Sequence, residues 1–232
     1  MNNLLISKEI LKNGNTNLIA NSELASGSQV FAIGDSHSIF FHNSMKIKEH
    51  WFGVNGLPVT IYKLLSSNLD LHNIGNVIGN KHEHYNIRKN DYVIFFYGFN
   101  DIQKNIKKYS DANWKNEIQL LFSKYVYHVK LLSKKYEIIP IISCVYPNPR
   151  IGAVGQNSYG TEGERIQYTI FANEILKHNC EQNNIIFFNI YDYIKDNFGF
   201  IKNEFTKDKI HLDYNNDELR NYIENAVFKF LS

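Results

Sequence analysis

Apolar positions along this chain fall into two patterns: short unbroken runs, and longer stretches where they recur at three- and four-residue steps. The runs lie within Gln29 to Ile33, Asp91 to Tyr97, Ile138 to Val145 and Ile185 to Ile190, and the more polar stretch Ile47 to Phe52 is a further strand candidate. Each predicts a strand. The run Tyr-Val-Ile-Phe-Phe-Tyr behind Asp91 shows no polar alternation, which predicts a strand covered on both faces. Among the periodic stretches, Trp114, Ile118, Leu121, Phe122, Tyr125, Val126, Val129 and Leu132 form one helical stripe. Asp111 stands where it would cap that helix. Further helices are predicted just past Ser36, from Val59 to Leu69 and from Glu164 to Cys180. A last one carries Leu219, Tyr222, Ile223, Ala226, Val227 and Phe230 on one face.

Strands alternating with helices predict an α/β fold, a three-layer α/β/α sandwich around a five-stranded parallel sheet. In the flavodoxin-like strand order 2-1-3-4-5, the first and third strands are neighbours flanking the switch point, where ligands bind in such sheets. Residues 1–28 read as a lead-in segment, broken at Asn13-Gly14-Asn15 and Ser26-Gly27-Ser28. Residues 29–232 read as one domain, with no internal repeat, low-complexity tract or long linker.

Composition narrows the classes. Apolar residues make up 44% and charged residues 21%, with a net charge of +2. That balance offers no electrostatic footing for nucleic acid or an anionic membrane. Lys104, Lys107 and Lys108 read as a solvated helix face. No run approaches a membrane span, and the first residues lack the pattern of a signal peptide, so the expected location is the cytoplasm. Cys144 and Cys180 are expected to be ordinary reduced side chains. His82-Glu83-His84 lacks a third ligand for a metal, and no metal or cofactor is expected.

Three short strings carry the candidate chemistry: Gly34-Asp35-Ser36-His37, Gly98-Phe99-Asn100-Asp101 and Asp208-Lys209-Ile210-His211. Ser36 sits at a strand-to-helix turn, where backbone N–H groups favour a nearby oxyanion, although Asp35 or Ser36 also suits a plain helix cap. The Asn100 amide would donate to the same oxyanion, or else satisfy a turn. Asp208 lies three residues before His211, close enough for its carboxylate to hold Nδ1–H and leave Nε2 as a base. The bland alternative is a charged surface loop.

The three strings, in this order, resemble the blocks of the SGNH hydrolases, also called GDSL-type esterases and lipases, over about residues 29–215. The resemblance implies Ser36 as nucleophile, His211 as base and Asp208 as its partner, with oxyanion donors from Ser36, Gly56 and Asn100. In the glycine block, Trp51 to Pro58, Gly53 is the alternative to Gly56. The form Gly-Asp-Ser-His-Ser is similar to a subgroup found in bacterial polysaccharide gene clusters. His37, Arg150 and Arg165 are candidate substrate contacts; Arg165 otherwise reads as a polar first-turn residue of a solvated helix.

The expected function is a serine esterase that removes a small acyl group, acetyl for preference, from a saccharide. One rival is a carbohydrate O-acetyltransferase on the same triad, with a sugar hydroxyl in place of water. Another is a non-catalytic carbohydrate-binding module, whose mark would be a damaged triad. A flavodoxin-like nucleotide-binding domain would need a Gly-rich phosphate loop after the first strand, and none is present.

Overall fold

The strongest apolar run lies at the centre of the molecule. The computed structural model describes residues 28–41, 44, 46–51, 53, 54, 57, 58, 60–66, 87–104, 106, 112–150 and 160–231. Its main sheet is built from β1 (Val30–Gly34), β2 (Ile47–Trp51), β5 (Tyr92–Phe96), β6 (Ile139–Ser143) and β7 (Ile186–Phe188), in the order β2-β1-β5-β6-β7. All four pairings are parallel. Between β2 and β5 the short strands β3 (Gly53–Val54) and β4 (Leu57–Pro58) pair antiparallel.

Every residue of β1 is buried, as are the last four of β5. Successive side chains point to opposite faces, so both faces of these strands are covered, as their lack of alternation predicts. The α/β class and the parallel sheet follow from that pattern.

Six α-helices complete the described fold: α1 (Ile61–Ser66), α2 (Phe99–Lys104), α3 (Trp114–Tyr136), α4 (Glu162–Asn183), α5 (Tyr191–Ile194) and α6 (Asp217–Leu231). The α3 stripe is buried as its spacing predicts, from Ile118 to Leu132, with Trp114 half-buried at its edge. The expected cap, Asp111, lies outside the described residues; the position before α3 is Asn113, whose side chain makes no capping bond. α3 packs along α4, and α6 buries Leu219, Ile223 and Val227 in the same core.

Two helices depart from expectation. The helix expected past Ser36 is a six-residue 3-10 turn, Ser36–Phe41, that starts on the serine itself. α4 starts two residues earlier than the apolar pattern suggests, because Thr161 and Glu164 form a reciprocal capping box ahead of it. Its buried face is partly polar, with Arg165, Thr169 and Asn173. Asn173 explains its own burial: its amide accepts from Val145 N at 2.7 Å and donates to Val145 O at 2.9 Å, completing the chain past β6.

The pairing of β1 with β5 ends at Gly34 and Phe96, and there the backbones crowd. A Cβ on Gly34 would lie 2.1 Å from the Phe96 carbonyl oxygen, so only glycine fits. Gly34→Ala is therefore expected to cost about 3 kcal/mol or more in urea unfolding, since neither backbone can retreat without breaking the sheet. Gly163→Ala in α4, where an added Cβ meets nothing within 4 Å, should instead leave the urea midpoint unchanged or raised.

Candidate active site

Immediately past the crowded glycine, the Asp35 N–H donates to the Phe96 carbonyl at 2.8 Å, extending the β1–β5 ladder by one bond. The chain then turns sharply. The Asp35 carboxylate accepts from the His37 N–H at 3.0 Å, and the Asp35 carbonyl accepts from the Ser38 N–H at 3.0 Å and its hydroxyl at 2.9 Å. Asp35 is thus the cap of the 3-10 turn, and Ser36 is left half-buried with its hydroxyl free for another partner.

That partner comes from 175 residues away: His211 Nε2 stands 2.9 Å from Ser36 Oγ. The other ring nitrogen, Nδ1, is 2.6 Å from Asp208 Oδ2. Local geometry explains how the acid meets the base. Asp208 Oδ1 accepts the backbone N–H groups of Ile210 at 2.9 Å and His211 at 2.7 Å, and Lys209 between them adopts a left-handed φ of 68°. The loop is closed at its foot by the Thr206–Leu212 bridge, a 2.8 Å bond from Asp213 N to Phe205 O, and the burial of Leu212. Burial alone would raise the Asp208 carboxyl; the His211 and Ile210 N–H groups and the imidazole outweigh it and hold it down at about 2. Burial, then the nearby His37, push the His211 imidazole below its usual 6.5, against the pull of Asp208 and Asp35. A base that is neutral near pH 7 and tied through Nδ1 to a carboxylate can take a proton at Nε2.

Asn100 lies in the first turn of α2, directly past β5, and is buried. Gly98 makes that placement possible: its φ is +111°, and an added Cβ would strike the Phe122 ring at 2.8 Å. One N–H of the Asn100 amide donates to Asp35 Oδ2 at 3.3 Å, which aligns the group with the turn carrying Ser36. The amide carries a second N–H besides that one.

The next residue, Asp101, carries a role that its motif alone does not announce. It is fully buried and accepts the Ile61 N–H at 2.7 Å and the Tyr62 N–H at 3.0 Å, so it caps the start of α1 from across the site. Burial raises its carboxyl to about 7, only partly offset by those two bonds, and the Asp35 charge adds to the rise.

The remaining sequence candidates separate. Gly56, the preferred glycine donor, lies outside the described residues, as does the metal candidate His82-Glu83-His84; Gly53 opens β3. His37 is buried behind the base, its ring 5.2 Å from that of His211. Arg150 pairs with Asp196 at 2.5 Å and lies over the Phe198 and Phe200 rings. Arg165 is not on a solvated face: it is only 4% exposed, because its guanidinium turns back to the Gly160 carbonyl at 2.5 Å, ahead of its own helix. Cys144 and Cys180 are free and buried, and burial pushes both thiols up to about 12, far from thiolate chemistry. Among the described residues no helix is long and apolar enough to cross a membrane.

The buried Asp101 makes a checkable demand on stability. The folded protein keeps its proton up to about pH 7, whereas an unfolded aspartate releases it near 3.8. Folded stability therefore falls as pH rises through that window, by about 4 kcal/mol in total. Asp101→Asn has no charge to bury and lacks this slope. The gap between the two unfolding free energies, followed by urea denaturation from pH 4 to pH 8, should shift steadily in favour of the variant.

No family model matches the chain, and no curated protein matches it in sequence. Solved structures do match in shape. A protein described as an acylhydrolase, from Bacteroides fragilis, superimposes with a TM-score of 0.58 at 19% identity over 90% of each chain. A GDSL-like lipase from Bacteroides thetaiotaomicron gives 0.58 at 15% identity, over 88% of this chain and 87% of that one. A Streptococcus protein described as a platelet activating factor gives 0.56 at 17% identity, over 90% and 87%. With its parallel sheet and with Ser36, Asn100 and His211 held at one rim, the chain has the fold of the SGNH, or GDSL-type, hydrolases.

Proposed function

We propose that this protein is a serine esterase that removes a small acyl group, acetyl for preference, from a saccharide hydroxyl. The observation that carries the chemistry is the 2.9 Å approach of His211 Nε2 to Ser36 Oγ, with Asp208 at 2.6 Å behind the same ring. The saccharide reading rests on the likeness of the Gly34–Ser38 run to the polysaccharide-cluster subgroup.

In this mechanism Ser36 Oγ attacks the ester carbonyl while His211 Nε2 takes its proton. The Asn100 amide and the Ser36 N–H face the oxyanion that develops, with the glycine block as a third donor. Collapse of the tetrahedral intermediate breaks the acyl–oxygen bond, and His211 returns the proton to the leaving alcohol. His211 then takes a proton from water as it attacks the acyl-serine, and returns that proton to Ser36 Oγ as the acyl–oxygen bond breaks, releasing the acid and the free enzyme. Asp208 stays ionised throughout, since its bonds hold it far below neutrality. Its role is to fix the ring and stabilise the imidazolium.

Hydrolysis of p-nitrophenyl acetate by the wild type should fall by a factor on the order of 10³ or more in Ser36→Ala. Asp208→Asn should lose on the order of 10³–10⁴ in kcat, because the ring loses its anchor and its charge partner. A fluorophosphonate should add one adduct to the wild type by mass spectrometry and none to Ser36→Ala. Equal rates from wild type and Ser36→Ala would remove the serine mechanism. The pH profile of kcat/KM should climb through an acid limb below pH 6.5, since only neutral His211 accepts the proton and its midpoint is depressed.

A further inference from the structure

Beneath the candidate triad lies a second carboxylate–imidazole pair, made by Asp35 and His37. Both are almost fully buried. His37 Nδ1 stands 3.1 Å from Asp35 Oδ1, the oxygen that also accepts the His37 backbone N–H, while Asp35 Oδ2 takes the Asn100 amide. The His37 ring is packed on three sides, against Phe99 at 4.2 Å, Tyr146 at 5.3 Å and His211 at 5.2 Å between ring centroids. Its Nε2 is buried without a hydrogen-bond partner among the described residues.

We propose that Asp35 and His37 are positioning residues for the reaction: Asp35 aims the Asn100 amide, and His37 forms the inner wall that places and tunes the His211 ring. This inference rests on the reading of Ser36, His211 and Asn100 as the reacting and oxyanion-binding groups. The physical case is one of geometry. Asp35 immediately precedes the nucleophile and bonds to the group expected to hold the oxyanion, so one carboxylate aligns both sides of the reacting centre. A buried ring wedged against three aromatic neighbours has little freedom, and a catalytic base beside it inherits that restriction.

The His37 imidazole also acts on its neighbour through charge. The groups facing His211 are Asp208 from its own loop, and Asp35 and His37 from the 3-10 turn. Those facing His37 are Asp35, His211, the Tyr146 phenol and, past Asn100, Asp101, which couples to Asp35. The two carboxylates favour protonation of His211, whereas a second imidazole opposes it because two adjacent cations repel. Replacing His37 by an uncharged ring of similar shape leaves the carboxylates in place and removes the opposing group.

The test uses the whole protein and His37→Phe, with His37→Gln as a second variant should the first fail to fold. The His211 imidazole titration is followed by NMR at its ring carbon protons, assigned with His211→Asn. Its midpoint should move up in the His37 variant, and the acid limb of kcat/KM should move with it. In Asp35→Asn, kcat should fall about tenfold or more at unchanged KM, less than the loss of 10²–10³ expected on removing the Asn100 donor itself. A His211 midpoint that stays fixed in both His37 variants, or an Asp35→Asn enzyme with wild-type kcat, overturns the proposal. The NMR titration needs no turnover, so failure of the serine mechanism, seen as equal rates in wild type and Ser36→Ala, is told apart from failure here.

Discussion

The contact on which the rest depends is the parallel pairing of β1 with β5 at its final rung. Gly34 and Phe96 lie so close there that no side chain fits, and the Asp35 N–H continues the ladder to the Phe96 carbonyl. Because the strands are parallel and in register, both end at the same height and both chains leave on the same edge. The 3-10 turn bearing Ser36 and the helix bearing Asn100 are therefore set side by side by backbone bonds, before any side chain is considered. Asp35 then joins them with its own carboxylate. This is the switch-point geometry of a parallel sheet, specified here by one glycine.

The third component arrives differently. The Asp208–His211 loop does not extend a strand; it is a short excursion closed by the Thr206–Leu212 bridge and seated by buried Leu212. Its acid is satisfied within three residues, by two N–H groups and one ring nitrogen. Strong local bonds hold the carboxylate ionised although the loop is substantially exposed, which keeps the base oriented without deep burial. The buried Asp101 behaves in the opposite way. Asp101 is fully buried and stays protonated up to about neutrality, so the same residue type serves as an anionic anchor at the rim and as a cap beneath the surface.

Much of this was legible in the residue pattern, for a physical reason. Strands buried on both faces must be apolar throughout, and the runs ending at Ile33, Tyr97 and Val145 announce themselves for that reason. The α3 stripe follows from a helix with one wet face. Ser36, Asn100, Asp208 and His211 stand out because their strings interrupt or follow those elements. What pattern could not convey is burial of polar groups. Arg165 reads as a solvated residue, yet its guanidinium finds the Gly160 carbonyl and its stem goes inside. Asn173 and Asp101 sit in the interior because distant backbone N–H groups need acceptors there, and a partner remote in sequence leaves no local trace. The capping box of Thr161 and Glu164 was readable in the sequence, but the apolar periodicity placed the start of α4 later.

The self-contained nature of the Asp208 loop has a mechanical consequence. Acid and base are fastened to one another through the loop's own backbone, so any excursion of that segment carries them as a single unit. The long-range joint in the triad is the lone bond from imidazole to hydroxyl. Movement of the loop would thus disengage the nucleophile while leaving the proton-accepting half assembled, and a return to contact would need alignment of one bond rather than two.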